Sequence, residues 1–131
     1  AGARKALPLP VSVPSHCRLM IPAAEALEEA LAAVDIRPPA IPVVHNVDAD
    51  THNEPESIRA ALAAQVHRRV RWVDCVRNMA RRGATLFIEP GPGKVLSGLG
   101  RRIDRERVFA PVFDAASLEK AREQALAAAG G

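Results

Sequence analysis

The stretch "ATLFIEPGPGKVLSGLGRRID", residues 84–104, decides the fold. Its first part, "TLFIE", is a short run rich in β-branched and aromatic side chains, and reads as a strand. It runs into "PGPG", a turn that calls for unusual backbone angles at Gly91 and Gly93. "KVLSGLGRRID" then reads as a helix starting from that turn, and "RVFAPV" at 107–112 as a second short strand. Strand, helix and strand in alternation make the class α/β, with a largely parallel sheet and flanking helices.

The chain upstream fits the same class. "ALPLPVSV", residues 6–13, interleaves apolar residues with prolines and predicts an edge strand or extended connector, because proline cannot donate to a ladder. "PAAEALEEALAAVD" at 22–35 predicts a helix, with Pro22 in the first turn and Leu27, Leu31 and Val34 at helical spacing. "IPVVHNV" at 41–47 predicts a short buried strand centred on Val43 and Val44, and Asn46 and Asp48 begin a turn. Helices are predicted over 53–68, with Pro55 in the first turn, and over 71–83, ended by Gly83. A last helix over 116–130 has Ser117 as its cap and Gly130 at its end.

Composition bounds the rest. The 131 residues suggest one domain, 48% apolar and 25% charged, an ordinary globular balance. Aromatics are only 3%, and much of the apolar share is alanine, so helices should pack closely through small side chains. A net charge of +3 suits a partner bearing phosphates or carboxylates without demanding nucleic acid. Cys17 and Cys75 have neither metal-ligand nor disulfide-framework spacing, which points to a reducing, cytoplasmic setting. No apolar run reaches the roughly 20 residues of a membrane span. The chain opens without methionine and reaches a strand-like stretch at once, as a fragment or a processed chain does.

Motifs narrow the chemistry. "EPGPGKVLSG" is not a nucleotide loop: Val95 follows Lys94 where Ser or Thr is needed, and Ile88 stands where the first glycine should be. The backbone N–H groups opening the next helix still favour an anion. The basic run "HRRVRW", 67–72, lacks the aromatic platforms of a nucleic-acid site and reads as a solvated face. Among the histidines, His52 and His67 read as surface, and His45 as facing a strand's interior or a partner helix. His16 follows an extended segment and precedes a loop, where catalytic groups collect in α/β sheets. It is a quiet turn residue or a general base. Ser12, Ser15, Ser57, Ser97 and Ser117 all lack a G-x-S-x-G frame, so a base here has no evident nucleophile within the chain.

The strings "ALPLPVSVPSHCRLM", "PVVHNVDAD", "IRAALAAQVHRRVRWVDCV" and "GPGKVLSGL" occur in that order. Together they closely resemble the C-terminal part of the malonyl-CoA:acyl carrier protein transacylases of bacterial type II fatty acid synthesis. The resemblance runs from about Ala6 to Arg102. Pro90 and His45 depart from the usual family residues.

That resemblance implies the C-terminal part of an α/β-hydrolase-like acyltransferase subdomain over 13–131, with 1–12 the end of a small ferredoxin-like subdomain. It implies that His16 is the general base and that the main-chain carbonyl of Gln65 orients its ring. Ser15 would help shape the acyl pocket, and Arg4 and Lys5 would lie near phosphates of coenzyme A or the acidic carrier protein. The serine nucleophile belongs to the missing N-terminal part, so this chain alone would be inactive. Malonyl-CoA and acyl carrier protein are the implied partners, with no metal, cofactor, nucleic acid or membrane. The contrasting reading is a non-catalytic scaffold module of α/β half-fold. A hydrolase sharing the base is a third.

Overall fold

The computed structural model describes residue 2 and residues 11–129. Arg4, Lys5 and most of the expected connector at 6–13 therefore lie outside the described residues, as does Gly130. Among the described residues, five α-helices and two strands follow in the order α1 (Ile21–Ala32), α2 (Pro55–His67), α3 (Trp72–Arg81), β1 (Leu86–Pro90), α4 (Val95–Ile103), β2 (Val108–Val112) and α5 (Ala115–Ala129). A 3₁₀ turn, Arg18–Met20, leads into α1.

The 84–112 stretch folds as its pattern predicts. β1 and β2 are parallel neighbours, in register from Leu86 opposite Val108 to Pro90 opposite Val112, with α4 as the crossover. Phe87 and Phe109 stack across the pair, ring centroids 4.7 Å apart. Helix α4 lies against β2 because Gly100 has no side chain, and a Cβ there would run into the ring of Phe109. Gly91 takes φ 152°, outside the ordinary L-residue range, and its N–H extends the ladder to Val112 O. Gly93 shows no such angle, so only one of the two expected glycines bends the turn. Helix α5 packs on the sheet.

Helix boundaries follow local chemistry. Pro55 is the first residue of α2 and Pro22 lies in the first turn of α1, where a missing N–H costs nothing. Gly83, at φ 97°, ends α3: its N–H reaches Ala80 O and the Ala84 N–H reaches Met79 O, the paired bonds of a Schellman cap. At α5 the cap is Asp114, three residues before the expected Ser117. The Ser117 N–H donates to the Asp114 carboxylate, and the Ser117 hydroxyl oxygen accepts from the Asp114 N–H. The small-residue packing is real: Ala24 of α1 and Ala61 and Ala63 of α2 are buried. Arg59 of α2 donates to the carbonyls of Leu31 and Val34 at the end of α1.

The strand expected at 41–47 does not form. Val44 makes one isolated antiparallel bridge to Thr51, and residues 44–51 close into a tight loop. The His45 N–H turns back to Asp50 O at 2.8 Å, so it is spent locally and cannot join a ladder. Pro42 has no N–H to give. Val43 is exposed, while His45, with 6% of its surface accessible, is the buried residue of the segment.

Val76 is wholly enclosed, with Cys75, Phe109, Ala110 and Ala121 also buried. Apolar surface elsewhere is open. A groove of about 670 Å³ runs along β1, lined by residues including Ile41, Trp72, Leu86, Ile88, Leu96 and Phe109, and Ile88 is 50% exposed. Among the described residues, no helix is long and apolar enough to cross a membrane, and no three His, Cys, Asp or Glu side chains gather as a metal site.

Candidate active site

The last turn of any α-helix leaves carbonyls without intrahelical partners. At the end of α2, His16 takes up two of these. Its backbone N–H donates to Val66 O at 3.1 Å, and its ring Nδ1 lies 2.8 Å from Gln65 O. A third carbonyl, Arg68 O, is 3.1 Å from the same nitrogen. Both neighbours of Nδ1 are acceptors, so Nδ1 carries the proton and donates, leaving Nε2 with its lone pair. The residue is exposed. It sits at φ 62°, a left-handed conformation that a side-chain-bearing residue keeps only when its surroundings enforce it. The three carbonyls at the end of α2 are that enforcement.

Of the residues singled out in the sequence, the structure brings His16 and Gln65 together, through the main chain of the latter. Ser15 is exposed beside them, its N–H bonded to Val13 O. Cys17 donates its thiol proton to Pro14 O. No serine or cysteine side chain among the described residues hydrogen-bonds His16. Ser97 is buried 2% accessible in the groove wall, and Ser117 is occupied at the α5 cap. The groove itself does not include His16.

The second acceptor, Arg68 O, was not anticipated. Its signal was present in principle, because a helix predicted to end near residue 68 leaves the carbonyls of its last turn free. The anion site expected at the start of α4 is already filled. The Glu89 carboxylate accepts from the Leu96 N–H at 3.0 Å and the Ser97 N–H at 2.7 Å. The Ser97 side chain first, and then these two N–H groups, hold it below the usual carboxylate range.

The other histidines are not simple surface. His52 has a quarter of its side chain accessible and lies 2.8 Å from the Asp48 carboxylate. His45 packs with its ring centroid 5.2 Å from that of His52. Burial pushes the His45 pKa down, and the His52 charge adds to this, against the pull of Asp48. Burial alone would raise the Asp48 carboxyl, but the His52 hydrogen bond and the Asp50 N–H outweigh it and bring it low. His67 is half-buried, with Nδ1 enclosed and without a partner among the described residues.

No family model matches this chain. A malonyl CoA-acyl carrier protein transacylase of Haemophilus influenzae is 47% identical over 123 residues, 94% of this chain and 39% of the relative. The solved acyl-carrier-protein S-malonyltransferase of Burkholderia pseudomallei superposes with a TM-score of 0.87 at 52% identity, over 93% of this chain and 40% of that one. The chain is a relative of the malonyl CoA-acyl carrier protein transacylases. It spans about 40% of the length of those relatives. A malonyl-transacylase solved in complex with a type II polyketide acyl-carrier protein also matches, with a TM-score of 0.89 at 46% identity, over 94% of this chain and 40% of that one. These transacylases are acyltransferases by name, and the two-stranded α/β unit with its flanking helices is similar to their solved structures.

Proposed function

We propose that this chain supplies the general base of an acyltransferase that moves a malonyl group from coenzyme A to the phosphopantetheine thiol of an acyl carrier protein. The observation that carries the reading is the hydrogen bond from His16 Nδ1–H to Gln65 O, which leaves Nε2 free to take a proton. A serine on polypeptide outside this chain attacks the thioester carbonyl, and His16 Nε2 takes its proton as the ester forms. The proton passes to the departing coenzyme A thiolate. His16 then deprotonates the carrier thiol, which displaces the malonyl group and restores the serine. The carbonyls at the end of α2 favour the positive charge that the ring bears between these transfers.

In this reading residues 13–131 are the C-terminal part of the large, α/β-hydrolase-like subdomain, and 1–12 end the small ferredoxin-like one. Ser15 helps shape the acyl pocket, and Arg4 and Lys5 meet phosphates or the acidic carrier. The N-terminal part of the enzyme covers the apolar groove along β1, whose exposed Ile88 and Leu96 support such a neighbour. The enzyme works in the cytoplasm.

The test is complementation. Malonyl transfer is assayed with this chain alone, then with the N-terminal segment of a relative added. The chain alone should give no transfer, and the mixture should restore it. Transfer by the chain alone would overturn the division of labour.

A further inference from the structure

The ring of His16 has two carbonyls at Nδ1, and they are held in different ways. Gln65 O belongs to the last turn of α2 and shares that helix's rigidity. Arg68 O lies just past it, on an extended residue with φ −97° and ψ 159°. Arg68, Arg69 and Val70 form a short exposed bridge from α2 to α3. A bridge of this kind needs an anchor at its far end to keep one of its carbonyls in place.

That anchor is Arg71. Its N–H donates to Asn46 O at 2.7 Å. Its guanidinium donates through Nη1 to Asp48 O and through Nε to the Asp74 carboxylate, both at 2.9 Å. Its own carbonyl accepts the Cys75 N–H, opening α3. Main chain and side chain together tie the bridge to the 44–51 loop and to the first turn of α3. The loop is itself closed by the Val44–Thr51 bridge and the Asp48–His52 pair. A path of short bonds therefore runs from the loop through Arg71 to Arg68 O and the ring of His16.

We propose that Arg71 is a positioning residue for His16. By fixing the Arg68–Val70 bridge it holds Arg68 O against Nδ1, which keeps the proton on that nitrogen and Nε2 turned outward. The inference rests on the reading of His16 as the base. Only a guanidinium does this fully, because two donors on one rigid plane meet Asp48 O and the Asp74 carboxylate at once.

The experiment uses Arg71→Ala and Arg71→Lys in the complete enzyme that contains this segment. It reads kcat, KM for malonyl-CoA, the thermal transition, and the ¹⁵N signals of the His16 ring. Arg71→Ala should lower kcat about 10-fold, inside the roughly 10²-fold that a 1 Å misplacement can cost, and leave KM within about twofold. The Nδ1–H signal of His16 should broaden or give way to the Nε2–H form. Arg71→Lys, which keeps the charge but reaches one acceptor, should recover part of the rate. An unchanged kcat, or a fall in kcat with unaltered ring signals, overturns the proposal. If Arg71→Ala fails to fold, Arg71→Lys decides: a drop in kcat of about threefold with a shifted ring signal supports it, and wild-type behaviour refutes it. The outcomes also separate the two readings. A ring that responds to Arg71 in a protein without malonyl transfer refutes the function alone. A transferring enzyme whose ring ignores Arg71 refutes the positioning role alone.

Discussion

Two glycines in α4 should respond to the same substitution with opposite signs. Glycine inside a helix costs about 1 kcal/mol relative to alanine, so Gly→Ala normally stabilises. At Gly98 a new Cβ has no atom within 4 Å, and the gain should be close to that full amount. At Gly100 the new Cβ would meet three carbons of the Phe109 ring, which is buried and stacked on Phe87 and so has nowhere to swing. Overpacking of this kind costs about 1–3 kcal/mol, and here it should exceed the propensity gain by about 1 kcal/mol. For 131 residues, 1 kcal/mol corresponds to roughly 4 °C in Tm. Thermal unfolding followed by circular dichroism should therefore show Gly98→Ala a few degrees above the parent and Gly100→Ala a few degrees below it. A rise in Tm for both would mean that α4 does not press on β2 as described.

Stability should fall with acid through His45. Its folded pKa lies below the ordinary histidine value of 6.5, so the unfolded chain binds its proton more readily, and stability present above about pH 6.5 is lost as pH drops toward the folded value. Tm should decline between pH 7.5 and 5 and decline less in His45→Gln; equal slopes for the two proteins would refute the assignment. The lowered Asp48 carboxyl acts further down, its contribution present above pH 3.8 and lost below that. Val76→Ala, which removes two methyls from a fully enclosed site, should cost about 2 kcal/mol in denaturant unfolding, and a loss under a few tenths would contradict the core described here. Asp114→Ala should fray the start of α5, read as faster amide exchange at Ala116 and Ser117; unchanged exchange would show that the reciprocal cap is idle.

Much of the fold was legible because its signals are local. "TLFIE", "RVFAPV" and the intervening glycine-rich turn carry their period and punctuation within a few residues, and Gly83 and Pro55 mark helix ends by backbone chemistry alone. The 41–47 segment misled because an apolar run looks the same whether or not a partner strand exists. Here Pro42 and the return of the His45 N–H to Asp50 O decide against a ladder. The α5 cap was displaced by three residues because Asp114 and Ser117 bond reciprocally, and either can pass for the cap in sequence. At the site, His16 stood out through its place between an extended segment and a loop, and Gln65 came from family resemblance. Arg68 O did not stand out, since it is one of several carbonyls left free around the end of α2 and the sequence does not say which of them faces the ring. Arg71 was folded into a basic run that read as solvated, yet it is half-buried and bonded through its backbone N–H, Nε and Nη1.

The central claim is that one imidazole carries the proton between serine and thiol. Its most direct test is malonyl transfer by the complete enzyme bearing His16→Ala, with folding checked by its thermal transition. Loss of general-base catalysis should lower the rate by about 10²–10⁴-fold in a protein that still unfolds cooperatively. Transfer at the parent rate would contradict the account.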